Sequence, residues 1–92
     1  MQYLDIYFLQ TNLIWESSNA NLNRMNWLIQ QSSEGSLVVL PEMFATGFTM
    51  NPEEHAQTMN GEALDWMKLA SVNKMICGSL AIAENGKFYN RF

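Results

Sequence analysis

Residues 3–10 alternate, with Leu4, Ile6 and Phe8 on one face and Tyr3, Asp5, Tyr7 and Leu9 on the other; this period of two predicts a strand. After a polar stretch, Ser17, Ser18 and Asn19 offer capping hydroxyl and amide groups. Leu22, Met25, Leu28 and Ile29 then recur at helical spacing through Gln31, which predicts an amphipathic helix. Ser32, Ser33, Glu34 and Gly35 mark its end. The run Leu37, Val38, Val39, Leu40 is continuously apolar and is closed by Pro41, a pattern that fits a strand covered on both faces, because a half-exposed strand would alternate. Strand, helix and buried strand together make a β-α-β unit.

From Glu42 to Asn60 the periodicity breaks down while aromatic and methionine residues persist. Within this loop Asn51, Pro52, Glu53 and Glu54 combine a capping residue, a proline at the first helical position and a carboxylate at the third, so a short helical turn is expected there. A long apolar loop after the carboxyl end of a buried strand is where open α/β sheets place their ligands. Residues 60–73 predict a second helix, with Ala63, Leu64, Met67 and Ala70 on the inner stripe and Trp66 at its margin. Residues 75–83 read as one strand. Glu84, Asn85, Gly86 and Lys87 give a hairpin signal, because Asn-Gly accepts the positive φ angles of a type I′ turn, and residues 88–92 form the return strand. The order describes an open sheet with unsatisfied edges and reads as the first part of a domain, so the chain is expected to be truncated.

Composition narrows the function classes. With 92 residues the chain has room for one compact domain but not for two. It is 48% hydrophobic and only 15% charged, which excludes an extended disordered chain and leaves apolar faces for association or for the rest of a larger domain. Net charge is −4 and the five basic residues are scattered, so no patch exists to neutralise a phosphate backbone; nucleic acid is not expected as a partner. No apolar run approaches the roughly 18 residues needed to cross a bilayer, and no basic segment precedes the first hydrophobic stretch; the chain reads as cytoplasmic, with no membrane partner. A single cysteine, Cys77, can form neither an internal disulfide nor a thiolate metal cluster by itself.

The candidate chemistry centres on Leu40-Pro41-Glu42-Met43-Phe44. A carboxylate just past a hydrophobic strand, followed by Met and Phe, sits where desolvation disfavours its charged form, which suits a general base. The bland reading is that Glu42 caps the following turn or points to solvent. Phe44 and Phe48 flank it, and either line a substrate pocket as its apolar wall or pack in the core. Cys77 lies inside an apolar strand with no base nearby in sequence and reads as a buried, inert thiol. His55 lacks the paired spacing of a zinc site and reads as a solvated loop residue; no metal site is expected. No Gly-rich phosphate loop follows the first strand, where Thr11-Asn12-Leu13-Ile14-Trp15 stands instead, and this disfavours a nucleotide-binding open sheet.

The segment Val38-Val39-Leu40-Pro41-Glu42-Met43-Phe44, with Gly47-Phe48 just after it, resembles the glutamate-bearing segment of the nitrilase (carbon–nitrogen hydrolase) superfamily. The opening strand ending in Gln10, the helix near Asn21-Leu22, Ile76-Cys77-Gly78-Ser79 and the hairpin leading into Tyr89-Asn90 fall in the family's order, so the resemblance covers essentially the whole chain and about the first third of a family domain. Pro-Glu-Met-Phe followed by Thr46-Gly47-Phe48 most resembles the omega-amidase branch. The resemblance implies an α/β fold forming the N-terminal part of a four-layer α-β-β-α sandwich, a single domain of which residues 1–92 are the N-terminal segment, and a homodimer.

It also implies hydrolysis of the C–N amide bond of a small substrate, such as the omega-amide of a 2-oxo acid, through a Glu-Lys-Cys triad without metal or organic cofactor. Only Glu42 matches that triad here. Lys68, Lys74, Lys87 and Cys77 match none of its motifs, so the 92-residue chain alone is expected to be inactive. Asn90 matches a family position near the active site. The alternative is a non-catalytic interaction module using its exposed sheet edge.

Overall fold

The computed structural model describes residues 3–92. The order is β1 (Ile6–Phe8), α1 (Ser18–Ile29), β2 (Leu37–Val39), α2 (Pro52–His55), α3 (Glu62–Ala70), β3 (Met75–Cys77), β4 (Leu80–Glu84) and β5 (Lys87–Arg91). Strands β1, β2 and β3 form a parallel sheet in that order, and β4 and β5 form an antiparallel hairpin. The expected β-α-β unit is therefore present, with β2 in the middle of three strands.

The register assigns the two faces of the parallel sheet. Tyr7, Val38 and Ile76 align across the strands, as do Ile6, Leu37 and Met75, and Phe8, Val39 and Cys77. The first row faces the core: Val38 is fully buried, and Tyr7 and Ile76 pack against the buried cluster. The other two rows carry Ile6 at 50% exposure, Phe8 at 74% and Met75 at 49%. The expectation that β2 is covered on both faces therefore holds for one face only, since Leu37 and Val39 are half-buried among these open neighbours. An apolar run reports that a strand is central, not that both of its faces are covered within the same stretch of chain.

Helix α1 buries Leu22, Met25 and Ile29 as its spacing requires, and packs beside α3, whose Ala63 is fully buried. Ser17 occupies the N-cap position, but its hydroxyl makes no capping bond. At the other end, the Ile29 carbonyl accepts from Ser32 N and the Ser32 hydroxyl and also from Lys74 Nζ at 2.7 Å, which places a cation where the helix dipole favours one. Asn21 is buried in the same helix with its amide fully used: its Oδ1 accepts from Ile14 N, and its Nδ2 donates to Ile14 O and Ala45 O, all at 2.8 Å. That residue ties the loop after β1 to the segment after β2.

The largest departure from the sequence reading lies at residues 75–83, which are not one strand. The chain leaves the parallel sheet after Cys77 and enters the hairpin at Leu80, with Gly78 and Ser79 between. A Cβ on Gly78 would lie 2.9 Å from Leu40 Cβ and 3.1 Å from Phe44 Cδ1, so only glycine lets the chain pass this close beneath the turn after β2. The hairpin itself forms as expected: Asn85 and Gly86 both take positive φ, 53° and 74°, and Glu84 pairs with Lys87.

Candidate active site

Glu42 stands two residues beyond Leu40, whose N–H still bonds to Cys77 O at 2.8 Å, so the carboxylate projects from the carboxyl end of the central strand. The chain turns sharply there. Met43 adopts φ 53°, an uncommon left-handed conformation for a side chain of this size, and its carbonyl accepts from both Thr46 N and Gly47 N. The turn is held from below by Ser79. The Ser79 hydroxyl accepts from Met43 N at 2.9 Å, and its carbonyl accepts from Phe44 N at 3.3 Å. Two buried amides next to the carboxylate are thereby satisfied by one residue at the sheet-to-hairpin switch.

The side chain of Glu42 is exposed at the rim of a concavity of about 360 Å³ lined by Leu40, Glu42, Gly78, Ser79, Asn90 and Phe92. Asn90, carried on β5 opposite Ala81, donates from Nδ2 to Glu42 Oε1 at 2.7 Å. Strand ends, switch and hairpin thus converge on one carboxylate, which opens to a hollow large enough for a small ligand.

The two phenylalanines are not brought together with Glu42. Phe44 is fully buried, tilted against Trp66 with ring centroids 5.6 Å apart, and lies behind Gly78 in the core. Phe48 is 59% exposed and is not among the lining residues of the Glu42 concavity. The expected apolar wall around Glu42 is therefore not built by these side chains within the described residues. Residues 43–47 are all buried between exposed Glu42 and exposed Phe48, a distribution set by tertiary anchors that no periodicity in the sequence reports. Ser79 and Phe92 were not singled out by sequence reasoning; a serine following glycine in an otherwise apolar strand was the available signal for the first.

The other candidates have local explanations. Cys77 is half-buried, not fully buried, on the more open face of β3. His55 closes α2 and stands 3.5 Å from the Glu16 carboxylate, which also accepts from Thr49 Oγ1, so it is partnered and not merely solvated. Lys68 falls in the last turn of α3. Among the described residues no three His, Cys, Asp or Glu side chains gather as a metal cluster.

The chain is 37% identical over 94 residues to omega-amidase YafV of Yersinia enterocolitica and 32% identical over 94 residues to omega-amidase YafV of Escherichia coli strain K12. Each comparison covers 100% of this chain and 36% of the relative, so the chain spans about a third of the length of these proteins. The crystal structure of XC1258 from Xanthomonas campestris, a CN-hydrolase superfamily protein with an arsenic adduct in its active site, superposes with a TM-score of 0.86 at 25% identity, over 98% of this chain and 35% of that one. The mixed parallel and antiparallel architecture is thus that of part of a CN-hydrolase superfamily fold. The family model for carbon-nitrogen hydrolase matches residues 8–92, and the chain belongs to that family.

Proposed function

We propose that this chain carries the glutamate of a Glu-Lys-Cys amidase acting on the C–N bond of a small amide, with the omega-amide of a short 2-oxo acid as the substrate class. The observation that carries this reading is Glu42 at the mouth of the concavity, on a turn anchored by Ser79 and oriented toward Asn90. The similarity to omega-amidases supports the substrate class.

In this reading Glu42 takes the proton from a cysteine thiol as its sulfur bonds to the amide carbonyl carbon. A lysine stabilises the resulting oxyanion. Collapse of the tetrahedral species breaks the C–N bond, and Glu42 returns its proton to the departing ammonia. Water, deprotonated by the same carboxylate, then releases the acid and regenerates the thiol. The lysine and cysteine belong to parts of the full-length protein outside residues 1–92. Lys74 is already committed to the end of α1, and Cys77 to the parallel sheet. Residues 1–92 act as the N-terminal segment of one hydrolase domain, inactive alone, and need no metal or organic cofactor. A cytoplasmic homodimer is part of the same reading, checked by sedimentation of the full-length protein and by cell fractionation.

The decisive experiment is Glu42→Gln in the full-length protein, with acyl-enzyme formation followed in a single turnover. Loss of a general base lowers the acylation rate by about 10²–10⁴-fold. Undiminished acylation overturns the assignment. The competing reading, a non-catalytic interaction module, draws on the uncovered apolar rows at Ile6, Phe8 and Met75. Ammonia release from a 2-oxo acid amide by the full-length protein separates the two.

A further inference from the structure

The β4–β5 hairpin reaches Glu42 from two directions. Ser79, just before β4, holds the backbone of the turn, and Asn90, in the return strand, holds the carboxylate. The register that delivers Asn90 is set by the tight Asn85-Gly86 turn, and each residue of β5 is paired to a defined partner on β4. A carboxylate has no donor, so the amide must present its NH2 group to Glu42, and the 2.7 Å separation is that of a strong hydrogen bond to a charged acceptor. Both side chains are exposed, so burial of polar groups does not require this contact. Among the described residues no second hydrogen bond reaches the Glu42 carboxylate.

We propose that Asn90 is a positioning residue for Glu42: its amide occupies one carboxylate oxygen and fixes the side-chain rotation, which leaves the other oxygen facing the concavity to take and return the proton. This inference rests on the reading that Glu42 is the proton-transfer base. A neutral amide suits the task, since it orients the carboxylate without locking it into an ion pair. The strained Met43 backbone serves the same end, because conformations of this kind persist only where surrounding contacts over-determine them. The Ser79 bonds supply that constraint.

The test uses the full-length protein with Asn90→Leu, similar in size but without a donor, alongside Glu42→Gln. Displacing a reacting group by about 1 Å costs on the order of 10²-fold in rate, so the leucine variant is expected to acylate about 10- to 100-fold more slowly at saturating amide. KM should stay within about twofold, and the melting temperature of the variant separates a loss of positioning from a loss of fold. Should the leucine variant fail to fold, Asn90→Ala carries the same expectation. An unchanged acylation rate, or a change confined to KM, overturns the positioning role while a dead Glu42→Gln leaves the base assignment standing. If Glu42→Gln acylates normally, the base assignment falls and the positioning role with it.

Discussion

Asn21 is the residue whose removal should be felt most widely. Its three hydrogen bonds satisfy the buried Ala45 carbonyl and the part-buried N–H and carbonyl of Ile14, and replacing it with leucine leaves these groups without that partner. Such orphaned groups cost about 1–3 kcal/mol each, partly relieved by relaxation, so Asn21→Leu is expected to destabilise the full-length protein by about 2–3 kcal/mol in urea unfolding. Gly78→Ala probes steric limits instead. The added methyl group meets Leu40 and Phe44 at 2.9 and 3.1 Å, and overpacking of this kind costs about 1–3 kcal/mol. Because the same contact supports the Glu42 turn, acylation should fall with stability, and an alanine variant with unchanged unfolding and unchanged activity would refute the close-packing account. Glu42 was legible as a candidate from its place after an apolar strand. The separate fates of Phe44 and Phe48 were not, because a turn has no periodicity from which to read which side chain enters the core.

At the scale of elements, helices and hairpin were readable while the strand break was not. Leu22, Met25 and Ile29 recur with the helical repeat, and Asn-Gly takes a conformation that few other pairs accept. Residues 75–83 are apolar apart from Gly78 and Ser79, and a Gly-Ser pair by itself does not distinguish a bulge within one strand from a break between two strands of different sheets. The hairpin carries its own electrostatic signature. Arg91 Nη2 donates to Glu84 Oε2 at 2.8 Å, and this hydrogen bond, reinforced by the guanidinium charge, holds the Glu84 carboxyl below its ordinary value. The pair stabilises the fold at pH values above the ordinary glutamate pKa, and its contribution is lost as pH falls through the lowered value. The pair is solvent-exposed, so its effect on overall stability is small. Arg91→Met is expected to return Glu84 toward the usual carboxylate range in a carbon-detected NMR titration; an unmoved titration would show that the contact does not persist in solution.

The whole molecule is defined by two sheets that meet at Gly78 and Ser79, and by an apolar face that the described residues leave open. Ile6, Phe8 and Met75 form that face together with half-buried Leu37 and Val39. Residues 1–92 expressed alone should therefore enhance the fluorescence of a hydrophobic dye more than the full-length protein does. On the proposed reading, ammonia release from a 2-oxo acid amide is expected from the full-length protein and not from residues 1–92. Dye binding equal to that of the full-length protein would mean that the face is covered by other means. The sequence by itself determined the β-α-β start, the two longer helices, the hairpin and the carboxylate after the central strand, because these depend on local periodicity, turn chemistry and a continuous apolar run. Tertiary structure alone decided which face of the parallel sheet is covered, where the last apolar stretch divides, and that Ser79 and Asn90 converge on Glu42. Those outcomes depend on contacts between residues far apart in sequence, 36 positions for Ser79 and Met43 and 48 for Asn90 and Glu42, and separation of that kind leaves no mark on a local pattern.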